Sequence, residues 1–150
     1  MDEVLYLGQL LLSLVLGGTL GWQRERVGKP AGVRTYALVT AGAALFTILS
    51  VHAFGSSDPS RVAAQVIVGI GFIGAGSIIQ REDHVEGLTT AAGLWMAAAI
   101  GMAIGTEKYL VGIGGALLIL IVLMIDDGRF RKKLPEPVAE VIKTPKQNRS

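Results

Sequence analysis

A few polar side chains stand where they could act together in an otherwise apolar chain: Arg24, Glu25, Arg34 and Thr35, then Asp58, Arg61 and Gln65, then Thr89 and Thr90. A glutamate set among arginines can form ion pairs, and Arg34, the deeper of the arginines in its apolar block, must snorkel or find Glu25. Asp58 before Pro59 suits a helix start, with the carboxylate at the N-cap and proline in the first turn. Arg61 follows three residues on, in reach of Asp58, and Gln65 sits one turn deeper on the same face, where it needs a hydrogen-bond partner. Thr89 and Thr90 open another apolar block. Their hydroxyls can cap free N–H groups there, and a helix N-terminus also favours an anion such as phosphate.

Other chemistry is poorly provided for. His52 falls near a helix end and His84 in a loop, neither with the serine, cysteine or carboxylate neighbours that a nucleophile requires. There is no cysteine, hence no thiolate and no disulfide. No carboxylate interrupts the middle of an apolar block, where a hard cation such as magnesium would want oxygen ligands. No catalytic set, metal site or cofactor is therefore expected, and nothing points to nucleic acid. Gly69, Gly71 and Gly74 spell G-x-G-x-x-G, but a dinucleotide fingerprint needs a strand before it, a helix opening at it and an acidic residue about 20 positions on. Here the glycines lie inside one apolar run, Val62 to Ile79, and Glu86 comes somewhat early.

The elements that must position these groups follow from hydropathy. The chain is 51% hydrophobic and 17% charged, with a mean hydropathy of +0.51, and its apolar residues are pooled in blocks rather than spread with helix or strand periodicity. The blocks are Val4 to Trp22, Val33 to Phe54, Val62 to Ile79, Leu88 to Ile104 and Tyr109 to Ile125. Each is near the length that crosses a ~30 Å hydrocarbon core at ~1.5 Å per residue. The expectation is an all-α polytopic membrane protein, a bundle of about five transmembrane helices joined by short links. The start Met1, Asp2, Glu3 lacks the positive region of a signal peptide, so the first block is expected to remain as a span.

Lysine and arginine give the orientation. Arg24, Arg26 and Lys29 lie in the first link, Arg81 in the third, and Arg129, Arg131, Lys132 and Lys133 after the last block, against only Arg61 and Lys108 in the second and fourth. This alternation puts the N-terminus outside and the C-terminus in the cytoplasm. Residues 1–125 then form the membrane domain, and 126–150, with Pro135, Pro137 and Pro145, a basic and mobile cytoplasmic tail too short for a regulatory domain.

Small residues mark packing surfaces. Gly17 and Gly21 are spaced G-x-x-x-G, the third block carries Gly69, Gly71, Gly74 and Gly76, and the fourth places Gly93, Ala97, Gly101 and Gly105 on one face. Whether that face meets a helix of the same chain or a second protomer is left open by the sequence.

With these residues in view, the chain resembles the MgtC/SapB (YhiD-like) family of bacterial inner-membrane proteins. The likeness rests on four ordered motifs: R-E followed by P-A-G-V-R-T, then D-P-S-R-V-A-A-Q, G-I-G-F-I-G-A-G, and G-L-T-T-A-A-G-L-W, from about Gly17 to about Gly105. The resemblance implies a multi-pass protein associated with adaptation to low magnesium, virulence and restraint of the proton-translocating ATP synthase. It makes Arg24, Glu25, Arg34, Thr35, Asp58, Arg61, Gln65, Thr89 and Thr90 the polar motif positions and Gly69, Gly71, Gly74 and Gly76 the glycine core. Longer members continue into a cytoplasmic regulatory domain.

The functional expectation is a non-enzymatic protein of the inner membrane that binds other membrane proteins, ATP synthase by family analogy, or itself as a homo-oligomer, through small-residue helix faces. The alternative is an ion transporter or channel lined by Arg24, Glu25, Arg34, Asp58, Arg61 and Gln65.

Overall fold

In a computed structural model the chain folds, in order, into α1 Asp2–Arg26, α2 Val33–His52, α3 Ser60–Gly76, the short strands β1 Ile79–Gln80 and β2 Val85–Glu86, α4 Leu88–Gly105 and α5 Tyr109–Met124. The structure describes residues 2–52, 58, 60–82 and 84–125, of Asp2 the backbone alone. Phe54, Pro59 and the tail from Asp126 onward, with the helix end and basic cluster expected there, lie outside the described residues.

The all-α expectation holds. Helices α1, α2 and α4 are long and apolar enough to cross a membrane. Helices α3 and α5, with 17 and 16 residues, are shorter and reach about 25 Å at ~1.5 Å per residue. The block expected to run to Ile79 is a helix followed by a strand. Ser77 N and Ile78 N turn back onto the carbonyls of Gly74 and Ala75 at 3.0 and 3.1 Å, Ser77 Oγ adds a bond to Gly74 O at 2.7 Å, and Ile79 and Gln80 pair antiparallel with Glu86 and Val85.

Two helix ends close by the same device. After α1, Gly28 takes a left-handed conformation (φ 66) while Lys29 N and Gly28 N reach Arg24 O and Glu25 O, both at 3.1 Å. After α4, Glu107 does so (φ 62), with Lys108 N to Ala103 O at 2.8 Å and Glu107 N to Ile104 O at 3.0 Å. Both pairs satisfy last-turn carbonyls that would otherwise lack donors.

Helix α4 is the hub, touching α1, α2, α3 and α5. Its small-residue face explains why. A Cβ on Gly93 would strike Tyr36 Oη, one on Gly101 would strike Thr40 O, and one on Gly105 would lie 2.7 Å from Ala44 O. On the other side of α2, a Cβ on Gly17 would sit 2.6 Å from Tyr36 O, and one on Gly21 2.6 Å from Gly32 O. Helix α2 is thus clasped between two glycine-bearing faces, and the α4 stripe is a seam within the chain. Of the third-block glycines only Gly74 meets another helix, at an ordinary 3.6 Å from Ala91; a Cβ on Gly69, Gly71 or Gly76 would meet nothing within 4 Å. Close approach is needed at the α4 glycines and not at these three.

Leu20, Tyr36, Leu94, Ala97, Ile100, Ala116, Ile119 and Leu123 form the main apolar cluster. Polar ties fasten α1 to α5 near both ends: Gln9 Nε2 donates to Tyr109 Oη at 3.0 Å and Gln23 Nε2 to Leu123 O at 2.8 Å. Large apolar side chains cover the exterior, Leu110 being 89% and Phe72 86% exposed, as suits a protein whose solvent is hydrocarbon.

Candidate functional site

The first and fourth motifs meet at one end of the bundle, the end that the lysine and arginine pattern assigns to the cytoplasm, and the third reaches the fourth where Gly74 packs on Ala91. There the C-terminus of α1, the start of α2 and the start of α4 come together, with the β1–β2 hairpin leading directly into α4.

At their centre lies Arg24, 3% exposed. It is three and seven residues from Gly21 and Gly17, hence on the buried face of α1 that also carries Ser13 and Gln9. Its Nη2 donates to Thr90 Oγ1 at 3.2 Å. Thr90 O in turn accepts a long bond, 3.5 Å, from Tyr36 Oη, which stands over Gly93. Arg24 Nε is buried without a partner, and among the described residues no carboxylate pairs with this guanidinium.

The neighbouring charges are engaged elsewhere. Glu25 Oε2 accepts from Val33 N, the first residue of α2, at 3.2 Å, so its negative charge sits at a helix N-terminus where it is favoured. Arg26 stacks on Trp22, its Cζ 3.8 Å from the ring centroid. In the hairpin, Glu86 meets Arg81 Nε at 3.3 Å and His84 Nε2 at 3.0 Å. The His84 hydrogen bond, with a smaller effect of Arg81, holds the Glu86 carboxyl below its usual range.

The expected positions fare unequally. Arg24 and Thr90 meet. Arg34 is exposed rather than deep and does not take Glu25, while Thr35 is half-buried and Thr89 exposed. The cap expected from Thr89 and Thr90 is not formed: α4 starts from Gly87 in a left-handed conformation (φ 90) with no side-chain cap, because Thr90 turns inward to Arg24. The second motif stays apart at the opposite end. Asp58 Oδ1 accepts from Ser60 N at 3.0 Å and Ser60 Oγ at 2.5 Å, which lowers the Asp58 pKa and matches the expected helix start. Arg61 is exposed, and Gln65, expected to need a partner inside the bundle, faces outward instead. The four third-block glycines lie within a single helix, so the strand-to-helix turn of a dinucleotide site does not form there.

The sequence pattern did not single out Tyr36, fully buried, or the buried polar side chains Gln9 and Ser13 of α1 and Thr40 and Thr47 of α2. The signal was the i, i+4 spacing of Gln9 and Ser13, and of Tyr36 and Thr40, along apolar helices. Gln9 Oε1, Ser13 Oγ and Gln23 Oε1 are buried without partners. An open groove of ≈ 600 Å³ lined by Val4, Leu5, Gly8, Gln9 and Tyr109 lies at the far end of α1 from Arg24. Among the described residues no group of three or more histidine or acidic side chains could hold a metal ion.

The family model described as "MgtC family" matches residues 10–128. YhiD of Escherichia coli (strain K12), named as a candidate magnesium transporter, is 46% identical over 125 residues, 78% of this chain and 58% of YhiD. SrpB of Synechococcus elongatus is 40% identical over 129 residues, 77% of this chain and 71% of SrpB. Protein MgtC of Salmonella typhimurium is 42% identical over 115 residues, 77% of this chain and 49% of MgtC. The chain thus spans about half the length of MgtC and somewhat more of YhiD. No solved structure matches it. With a family model covering most of the sequence, relatives at this identity and an apolar helical bundle, the chain is a bacterial membrane protein and belongs to the MgtC family.

Proposed function

We propose that this protein is a multi-pass, non-enzymatic component of the bacterial inner membrane that serves magnesium or membrane-energy homeostasis by binding other membrane proteins. The name of YhiD supports the magnesium link, and the family resemblance suggests ATP synthase as a partner. The observation that carries the binding reading is the cation between the motifs: Arg24 is buried where the first and fourth motifs meet, and a fixed positive charge repels a divalent cation from that site. The small-residue seam of α4 is occupied by α2, so a partner is expected on the outward face of α3. Gln65, Gly69, Phe72 and Gly76 share that face and are all exposed.

A transporter is the second reading. The buried polar side chains Gln9, Ser13, Thr40 and Thr47 favour it, since a polar path across a membrane needs such groups in the interior of the bundle. Flux of magnesium, protons and potassium through the purified, inserted protein in sealed liposomes separates the readings. No flux above protein-free vesicles is expected; flux abolished by Glu25→Gln or Asp58→Asn would replace the binding reading with transport.

A further inference from the structure

The start of α4 lies against the buried Arg24. Helix α4 has 18 residues, and its first turn lacks any side-chain cap, so its N–H groups and the positive end of its dipole remain available to a ligand. The second observation is independent of the helix. Arg24 is buried, spends one N–H on the hydroxyl of Thr90, the third residue of α4, and keeps Nε buried with no partner. A buried guanidinium without a counter-charge is costly. The carboxylates of the adjoining segments are engaged elsewhere: Glu25 is held by Val33 N, and Glu86 by Arg81 and His84.

The geometry points to a phosphate-type oxyanion as the ligand of this site, bound between the Arg24 guanidinium and the first turn of α4. Planar guanidinium donors and helix-terminal N–H groups both match tetrahedral oxygens, and a phosphate would meet the unused Nε as well as the unused helix donors. Entry requires the cover over Arg24 to open. The neighbouring α1–α2 link carries two left-handed residues, Gly28 and Ala31. The phosphate has two sources at a cytoplasmic membrane boundary, an anionic lipid headgroup or a free phosphate in solution. This inference does not depend on the partner-binding reading.

The test uses the full chain in nanodiscs of phosphatidylcholine, with thermal unfolding followed while inorganic phosphate is added against chloride at matched ionic strength. In parallel, native mass spectrometry compares retention of phosphatidylglycerol with phosphatidylcholine. Stabilisation by phosphate over chloride, weakened roughly tenfold or more in apparent affinity by Arg24→Gln, identifies the free anion. Selective retention of phosphatidylglycerol, lost in Arg24→Gln, with no phosphate effect, identifies the lipid headgroup. Should Arg24→Gln fail to fold, Arg24→Lys keeps the charge without the guanidinium fork and is expected to weaken the same response. Equal responses to phosphate and chloride with no lipid selectivity, or responses unchanged by the Arg24 substitution that folds, overturn the site.

Discussion

At the scale of single residues, burial follows helix phase more closely than distance along an apolar block. Arg24 is buried because it shares a face with Gly17 and Gly21, whereas Arg34 points outward although it lies inside the second block. Thr90 lies on the face of the α4 stripe, one turn before Gly93, and Thr89 is about 100° away at the usual turn angle, so one threonine meets Arg24 and the other faces outward. Glu86 carries a prediction at this scale. Its folded carboxyl is pulled below the ordinary 4.5 by His84 and then Arg81. The group's contribution to the hairpin is therefore present above the unfolded value and lost as the pH falls through the folded one. Protection of the hairpin amides, taken relative to unstructured chain at the same pH, is expected to fall as the pH drops below the ordinary carboxylate range in the parent chain and to lose that acid step in Glu86→Gln. An acid step that persists in Glu86→Gln would assign it to another group.

Among the elements, the glycines divide by what faces them. Gly101→Ala places a methyl against the carbonyl of Thr40 and is expected to cost about 1–3 kcal/mol by forcing α2 and α4 apart. Gly69→Ala meets nothing within 4 Å and is expected to be neutral or to stabilise by up to about 1 kcal/mol. Reversible unfolding in mixed micelles measures both, and equal effects would contradict the seam. The end of α4 offers a converse case. Glu107 is left-handed where glycine has no Cβ penalty, so Glu107→Gly is expected to raise stability by about 0.5–1 kcal/mol in the same assay. A loss would show that the Glu107 side chain contributes more than its backbone strain costs.

Across the whole molecule, five helices, their order and a packing face on α4 were legible, though not that α2 fills it, because pooled apolar residues and a small-residue stripe are direct physical consequences of packing helices in lipid. The end of α3 was not, since Ile78 and Ile79 continue the apolar run past the turn at Ser77. Nor was Tyr36, an aromatic residue in a first turn whose hydroxyl finds Thr90 only once α2 and α4 are packed. The separation of the second motif from the other three likewise required the helices to be placed in space. Orientation remains an expectation of the charge pattern. Because the chain has no cysteine, single cysteines at Lys29 and Lys108 give a clean test with a membrane-impermeant thiol reagent on intact spheroplasts. Labelling at position 108 and protection at position 29 are expected, and the reverse would invert the topology. The first and fourth motifs are joined by the Arg24–Thr90 contact between α1 and α4. A double-mutant cycle with Arg24→Met and Thr90→Val, read by unfolding free energy, tests it most directly. A coupling of about 1 kcal/mol or more is predicted for a buried hydrogen bond to a charged group, and additive effects of the two substitutions would contradict it.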